Sequence, residues 1–383
     1  MIQRSFNLIV GSPRARTLLI SLIAAIAATG AGRPADMGGS QRDTGIAHVT
    51  LTGIMQSAGS FSKQVTIHVP PGLSVLTVNV SIPISIEEGA WRQTISHCTI
   101  SLSATPSRQI DEVDSMGNHY RVLVFNKPES QDIQITQTID EFAAEATLDA
   151  PLPTAAYPLT YVSNSATNYL RPSKSAQSDD AAIMDLAQQL TRRSRSEADA
   201  VSRISRWTFG NLSYATGSYI DVIDACTALS TRCAQCRGYA NLFIALARAA
   251  GIPARLVTGY TLRGSLHIPI SSDESEHLSM DVPSAAHAWV EIWYPEVGWI
   301  PYDPQTSAGF VDSHHIQFSI GASTDDERPF IQWSADSRTF SQVRFQEDGI
   351  NARLSDNISL QYVGQSGIEG TSHILLERQA LAE

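Results

Sequence analysis

The sequence predicts an α+β protein in which an all-β sandwich precedes a core of helices packed on an antiparallel sheet. Three observations carry this. From about Ile46 to Leu148 apolar residues alternate with polar ones, between Ser178 and Ala250 they recur at three- and four-residue steps, and from Arg255 short β-rich runs return. Helices followed by antiparallel strands, rather than a regular strand–helix alternation, is the α+β order.

The strand-like region is the clearest by pattern. Val65, Ile67 and Val69 alternate with polar residues, as do Leu76, Val78, Val80 and Ile82, and again Ile133 and Ile135. DSMGNHYRVLVF supplies a tight turn at Ser115 to Asn118 and a strand from about His119 to Phe125, with Gly117 and Asn118 suited to positive φ. Several such strands over residues 46–150 predict an immunoglobulin-like sandwich, expected to be an appendage without catalytic residues. A lead-in rich in proline and serine follows. Ser178 is then a candidate N-cap for SDDAAIMDLAQQLTRR, and a second helix is expected from about Glu197 to Phe209. A third spans the stretch in which Tyr239, Leu242, Phe243, Leu246 and Ala250 share a face, stopped by Gly251 and Pro253. Residues 151–310 are read as the core domain and 311–383 as a β-rich C-terminal extension.

The first 31 residues hold Arg4, Arg14 and Arg16, no acid, and the apolar run TLLISLIAAIAATGA, a secretory signal pattern. The run falls short of the roughly 20 apolar residues of a bilayer span. Cleavage is expected near Ala27 or Gly30, with residues 32–45 a linker; an uncleaved anchor is the alternative, and without one no membrane span is expected. The body is therefore expected outside the cytoplasm, periplasmic or extracellular. Loss of the signal would take the formal net charge from −11 to −14. An acidic body of this kind argues against nucleic acid as a partner. Four cysteines in 383 residues are too few for a disulfide scaffold.

Three of those cysteines, Cys226, Cys233 and Cys236, cluster just before the third helix. A zinc site needs four ligands, and Cys233 and Cys236 offer two; the adjacent His314 and His315 are the one histidine pair and are poorly placed to complete it. A thioredoxin-type pair should follow a βαβ unit, whereas helices precede this one. A structural bridge from Cys226 to Cys233, which would leave Cys236 free, is expected over one from Cys233 to Cys236, which would be strained at a helix start and would lock Cys236 until reduced. Cys98, in the strand region, is read as a buried small apolar residue. Cys236 at a helix N-terminus also suits a nucleophile, because the free N–H groups and the helix dipole favour thiolate. A base and an orienting acid must then come from downstream. His287 begins the alternating run Trp289, Glu291, Trp293, and Asp303 closes the run Trp299, Ile300, Tyr302, so a hairpin turned at PEVG would bring the two side by side.

CRGYANLFIALARAAGIPARLVTGY followed by HAWVEIWYPEVGWIPYDP resembles the bacterial transglutaminase-like family of the papain-like cysteine superfamily. The resemblance spans residues 207–306, and the strands before it are similar to the N-terminal domain of some members. It implies Cys236 as nucleophile, His287 as base and Asp303 as orienter, with no metal or cofactor and a protein or peptide substrate. Cys233 has no counterpart. Ala234 stands where the family usually has glycine, which restricts the turn into the helix but removes no chemical group. The resemblance implies attack on an amide carbonyl through a thioester, with hydrolysis preferred, glutamine crosslinking the alternative, and an idle binding module a third reading. Arylamine acetyl transfer uses the same three residue types but suits neither the motifs nor the sandwich. The Cys236 N–H and one further donor, with Trp207 and Tyr214 as candidates, would hold the oxyanion.

Overall fold

The structure, a computed structural model, describes residues 46–381 except 88, 130, 216–223, 274–276, 336–341 and 368–372. The signal-like segment and the linker lie outside the described residues. Six strands come first: β1 (Ile46–His68), β2 (Leu73–Ile82), β3 (Trp91–Leu102), β4 (Arg108–Val113), β5 (His119–Asn126) and β6 (Asp132–Thr147). The helical stretch holds α1 (Asn164–Thr167), α2 (Ala181–Thr191), α3 (Glu197–Asn211), α4 (Ala225–Thr231) and α5 (Cys236–Ala249), with the two-residue strands β7 (Ser213–Tyr214) and β8 (Cys233–Ala234) pairing in parallel on either side of α4. Then come β9 (Ala254–Thr261), β10 (Gly264–Pro269), β11 (His277–Val282), β12 (Ala285–Tyr294), β13 (Gly298–Tyr302), β14 (Ser307–Ala308), β15 (His315–Gly321), β16 (Ile331–Ala335), β17 (Arg344–Gly367) and β18 (His373–Arg378).

Local chemistry explains the helix boundaries. Asp180 caps α2, its carboxylate accepting from the N–H groups of Ala182 and Ile183. The cap therefore falls two residues after the expected Ser178, because the carboxylate satisfies two orphan donors at once. Ser196 caps α3 through the Asp199 N–H. Gly251, at φ +77°, takes the left-handed turn that ends α5.

The core is layered around a four-stranded antiparallel sheet of order β13-β12-β9-β15. On one face, Leu256, Ala288, Val290, Ile292 and Tyr294 pack against α2, α3 and α5. On the other, Val257, Tyr260, Trp289 and Ile316 pack against Leu51, Met55, Phe61 and Phe142 of a second sheet. That second sheet has order β14-β18-β1-β6-β3, with β17 also paired to β1. The far half of β1, with β6, forms a sandwich with a third sheet, β16-β2-β5-β4, around Ile67, Leu76, Leu123 and Ile133.

The sandwich is therefore built from both ends of the chain. β17 runs antiparallel to β1 from Ala47↔Gly367 to His68↔Arg344, β18 runs parallel to its start, and β16 pairs with β2. β15, beyond residue 310, is the fourth strand of the central sheet. Sheets here join strands across the divisions read from the sequence at 150 and 310, because hydrophobic alternation reports which face of a strand is buried and says nothing about its neighbour.

β9 carries Gly259, opposite His287 on β12 and Gln317 on β15. A Cβ there would collide with the Ile316 carbonyl and lie 3.0 Å from the Trp289 ring. Gly259→Ala is expected to lower stability by about 1–3 kcal/mol through overpacking. Urea unfolding of the variant beside the parent chain measures the difference.

Candidate active site

Cys236 is the first residue of α5. Its N-cap, Gln235, is extended and makes no side-chain cap hydrogen bond, so the first-turn N–H groups receive no capping side chain from it. The helix is held rigidly in place. It is buried from Gly238 through Arg248, the Tyr239 hydroxyl donates to the Leu212 carbonyl at 2.8 Å, and the Arg248 guanidinium donates to the carbonyls of Ala254, Arg171 and Ala322. Ala234 is fully buried on β8, and its carbonyl accepts from the Ala215 N–H at 2.9 Å, so the methyl group is accommodated within the core.

His287 is the third residue of β12. The β12–β13 hairpin pairs Val290 with Tyr302, which carries Asp303, the next residue, back towards His287. The His287 Nε2 lies 3.2 Å from Asp303 Oδ2. The other ring nitrogen is left for Cys236, whose thiol is hydrogen-bonded to the imidazole. Asp303 is 2% exposed and is held on its remaining sides, accepting from Thr306 Oγ1 at 2.6 Å and from the Gln305 N–H at 3.1 Å. The structure thus brings together all three residues singled out in the sequence. It adds Thr306, whose role the Asp-Pro-Gln-Thr turn chemistry could have suggested.

The charges follow from these contacts. Burial alone pushes the Cys236 thiol up, but the hydrogen bond and charge of His287, with Arg237, outweigh it and hold the thiol below its ordinary value. Burial works to neutralise His287 too, yet the Asp303 carboxylate and the Cys236 thiolate raise it to about 10. Against the same burial, His287 and His315 with Thr306 bring Asp303 down to about 2. Both shifts favour a thiolate paired with an imidazolium. By contrast, burial holds the thiols of Cys98 and Cys226 up, Cys226 further by Asp180 and Asp224.

All four cysteines are free thiols, so the expected Cys226–Cys233 bridge is not formed. Cys226 lies in the first turn of α4 and Cys233 on the strand after its end. From Cys226 to the helix end at Thr231 the rise is about 7.5 Å, already beyond the roughly 7 Å that a disulfide spans between Cα atoms. Cys98 is only partly buried, its sulfur accepting from Gln137 Nε2 at 3.4 Å.

Cys236 and His287 open onto a cleft walled by Tyr214 and Tyr260 from the core and by Lys63, Asn79 and Tyr120 from the N-terminal strands. The sandwich is therefore not a remote appendage; it forms one wall of the site, because the central sheet packs directly on β1. Tyr214 lies in the cleft, whereas Trp207 is packed against the helical core with the Arg232 guanidinium 4.5 Å above its ring. Residues that could hold a metal are His287, Asp303 and His315, whose ligand atoms lie within 4.8 Å of one another. His315 was noticed in the sequence beside His314 but assigned no place here. No local signal marks it, because it arrives through the β9–β15 pairing.

A helix-borne thiolate facing an imidazole–carboxylate pair on an antiparallel sheet defines the papain-like class of folds. Residues 184–304 match the transglutaminase-like superfamily, and this stretch of the chain is transglutaminase-like. A protein-glutamine gamma-glutamyltransferase of Pseudomonas aeruginosa is 45% identical over 74 residues, 19% of this chain and 10% of that protein. An uncharacterized protein of Mycobacterium leprae is 28% identical over 136 residues, 34% of this chain and 42% of its own length. The chain thus matches a tenth and less than half, respectively, of these relatives. The solved structure of a candidate cysteine protease from Cytophaga hutchinsonii superposes with a TM-score of 0.57 at 17% identity, covering 82% of this chain and 99% of that one, which shows a common fold. Among the described residues no helix is long and apolar enough to cross a membrane.

Two outcomes are expected at the site. The pH midpoint for alkylation of Cys236 should lie below the ordinary thiol value, because the imidazolium beside it persists until about pH 10. In His287→Asn, where only Arg237 and the Ala288 N–H still oppose burial, that midpoint should rise, and below it the rate should fall about tenfold per pH unit. Iodoacetamide kinetics followed by peptide mass measure both. Separately, peptide mapping of the unreduced, alkylated protein should find Cys226 and Cys233 unlinked.

Proposed function

We propose that this chain is an exported thiol enzyme that hydrolyses amide bonds in proteins or peptides through Cys236, His287 and Asp303. The observation that carries the reading is the hydrogen-bonded run from thiol to imidazole to buried carboxylate, with the thiol held low and the imidazole held high. The thiolate attacks the amide carbonyl, and the Cys236 N–H at the open helix end, with the Tyr214 hydroxyl in the cleft, stabilises the oxyanion. His287 gives its proton to the leaving amine, leaving a thioester on Cys236. Neutral His287 then takes a proton from water as it attacks the thioester. Collapse expels the thiolate, releases the acid and restores the ion pair. Asp303 holds the ring and stabilises its charged form at each stage. The Arg-flanked apolar segment at the N-terminus supports export.

A second reading is transfer to an amine in place of water, favoured by the name of the Pseudomonas relative. The same three residues serve both, so the acceptor decides. The test incubates the protein with a glutamine-containing protein, with and without a primary amine, and identifies products by mass. New carboxylates irrespective of amine are expected; accumulation of amine adducts would replace hydrolysis by transfer. Cys236→Ala should lower turnover by at least about a thousandfold, whereas Cys98→Ala and Cys233→Ala should leave it near the parent level.

A further inference from the structure

A second histidine–carboxylate pair stands against the first. His315, at the start of β15, is 3% exposed, and its Nδ1 lies 2.8 Å from Asp312 Oδ1. Asp312 also accepts from the His314 N–H at 2.9 Å and lies 3.8 Å from the His314 Nδ1. The His315 ring meets the Trp289 indole edge-on at 5.1 Å and sits 5.6 Å from the His287 ring. Its Nε2 is buried and has no hydrogen-bond partner among the described residues. Buried polar atoms are ordinarily paired, so this one calls for a physical reason.

The geometry points to a zinc-class cation: we propose that His287, Asp303 and His315 form an inhibitory binding site for such an ion within the triad itself. With Asp312 accepting the Nδ1–H, His315 presents an electron pair at Nε2. A histidine oriented by a carboxylate through one nitrogen, with the other free, is the usual outer arrangement of a metal-binding imidazole. The ligand atoms of His287, Asp303 and His315 already lie within 4.8 Å of one another. Around a tetrahedral zinc at about 2.0–2.2 Å from each ligand they would stand roughly 3.3 Å apart, so the three need draw in by no more than about 1.5 Å. Two imidazole nitrogens and one carboxylate suit zinc, whereas magnesium and calcium call for oxygen-rich sets.

The ion would displace the proton that His287 Nε2 shares with Asp303, releasing it to solvent, and would take that nitrogen's electron pair and the carboxylate onto itself. The imidazole would then lose the carboxylate that supports its charged form and could no longer exchange a proton with Cys236 productively. The inhibitory role rests on the proposed amide chemistry; the binding site does not.

The test uses the full, tag-free chain stripped of metal. Equilibrium dialysis should find one tightly bound zinc per chain and no magnesium at the same concentration. Asp312→Asn should weaken zinc binding by roughly 10- to 100-fold, and His315→Asn should abolish stoichiometric binding, with circular dichroism checking that each variant is folded. Should a variant fail to fold, cobalt(II) on the unmutated chain decides. Tetrahedral d–d bands without a thiolate-to-cobalt charge-transfer band are expected; that charge-transfer band would put the metal on Cys236 and overturn the assignment, as would failure to retain zinc. In the amide assay, loss of turnover should track site occupancy and reverse on chelation, and a filled site with unchanged turnover would overturn the inhibitory role. A chain that binds one zinc yet never turns over substrate would speak against the amide chemistry and leave the site standing.

Discussion

The contact on which the arrangement depends is the buried pairing of His287 with Asp303 at 3.2 Å. A charge removed from water is tolerated only when it is paired and its remaining lone pairs are satisfied. Asp303 meets that condition through His287, Thr306 Oγ1 and the Gln305 N–H, so the carboxylate stays ionised despite its burial. Its charge keeps the imidazole protonated, and the imidazolium keeps the Cys236 thiol low. Each member of the run is shifted towards its charged form by the next.

Such a chain of charges works only on a scaffold that cannot relax. The central sheet supplies it by being covered on both faces, by helices on one and by the β1 sheet on the other. α5 packs on β12 and β9, fixing the sulfur relative to the histidine strand, while Trp289 anchors β12 from below. The layer that buries the second face also brings Lys63, Asn79 and Tyr120 to the cleft. Support and cleft wall are thus one structure, which binds the ends of the chain to the triad in its middle.

The residues within reach of sequence reasoning were those whose contact is local or whose motif is dense. The His287–Asp303 pairing follows from two period-two runs and a short turn, a hairpin whose register is set within 16 positions. Cys236 at a helix start follows from helical spacing bounded by Gly251 and Pro253. Where proximity along the chain was taken for proximity in space, it misled. Cys226 and Cys233 stand at opposite ends of α4 and remain free thiols. His315 was passed over because its neighbour His287 is brought to it by two successive strand pairings, β12 with β9 and β9 with β15.

The sequence by itself determined the kinds of element, the helix that bears Cys236, the hairpin that bears His287 and Asp303, and the order of sandwich before core. These depend on short-range backbone preferences and on side-chain periodicity, both of which are written along the chain. Only the tertiary structure decided that β17 and β18 flank β1, that the sandwich walls the cleft, and that the Asp312–His315 pair stands behind the first. A strand's backbone hydrogen-bonds equally well to any edge of suitable length. Its partner is chosen by the packing of whole sheets, which no local stretch encodes.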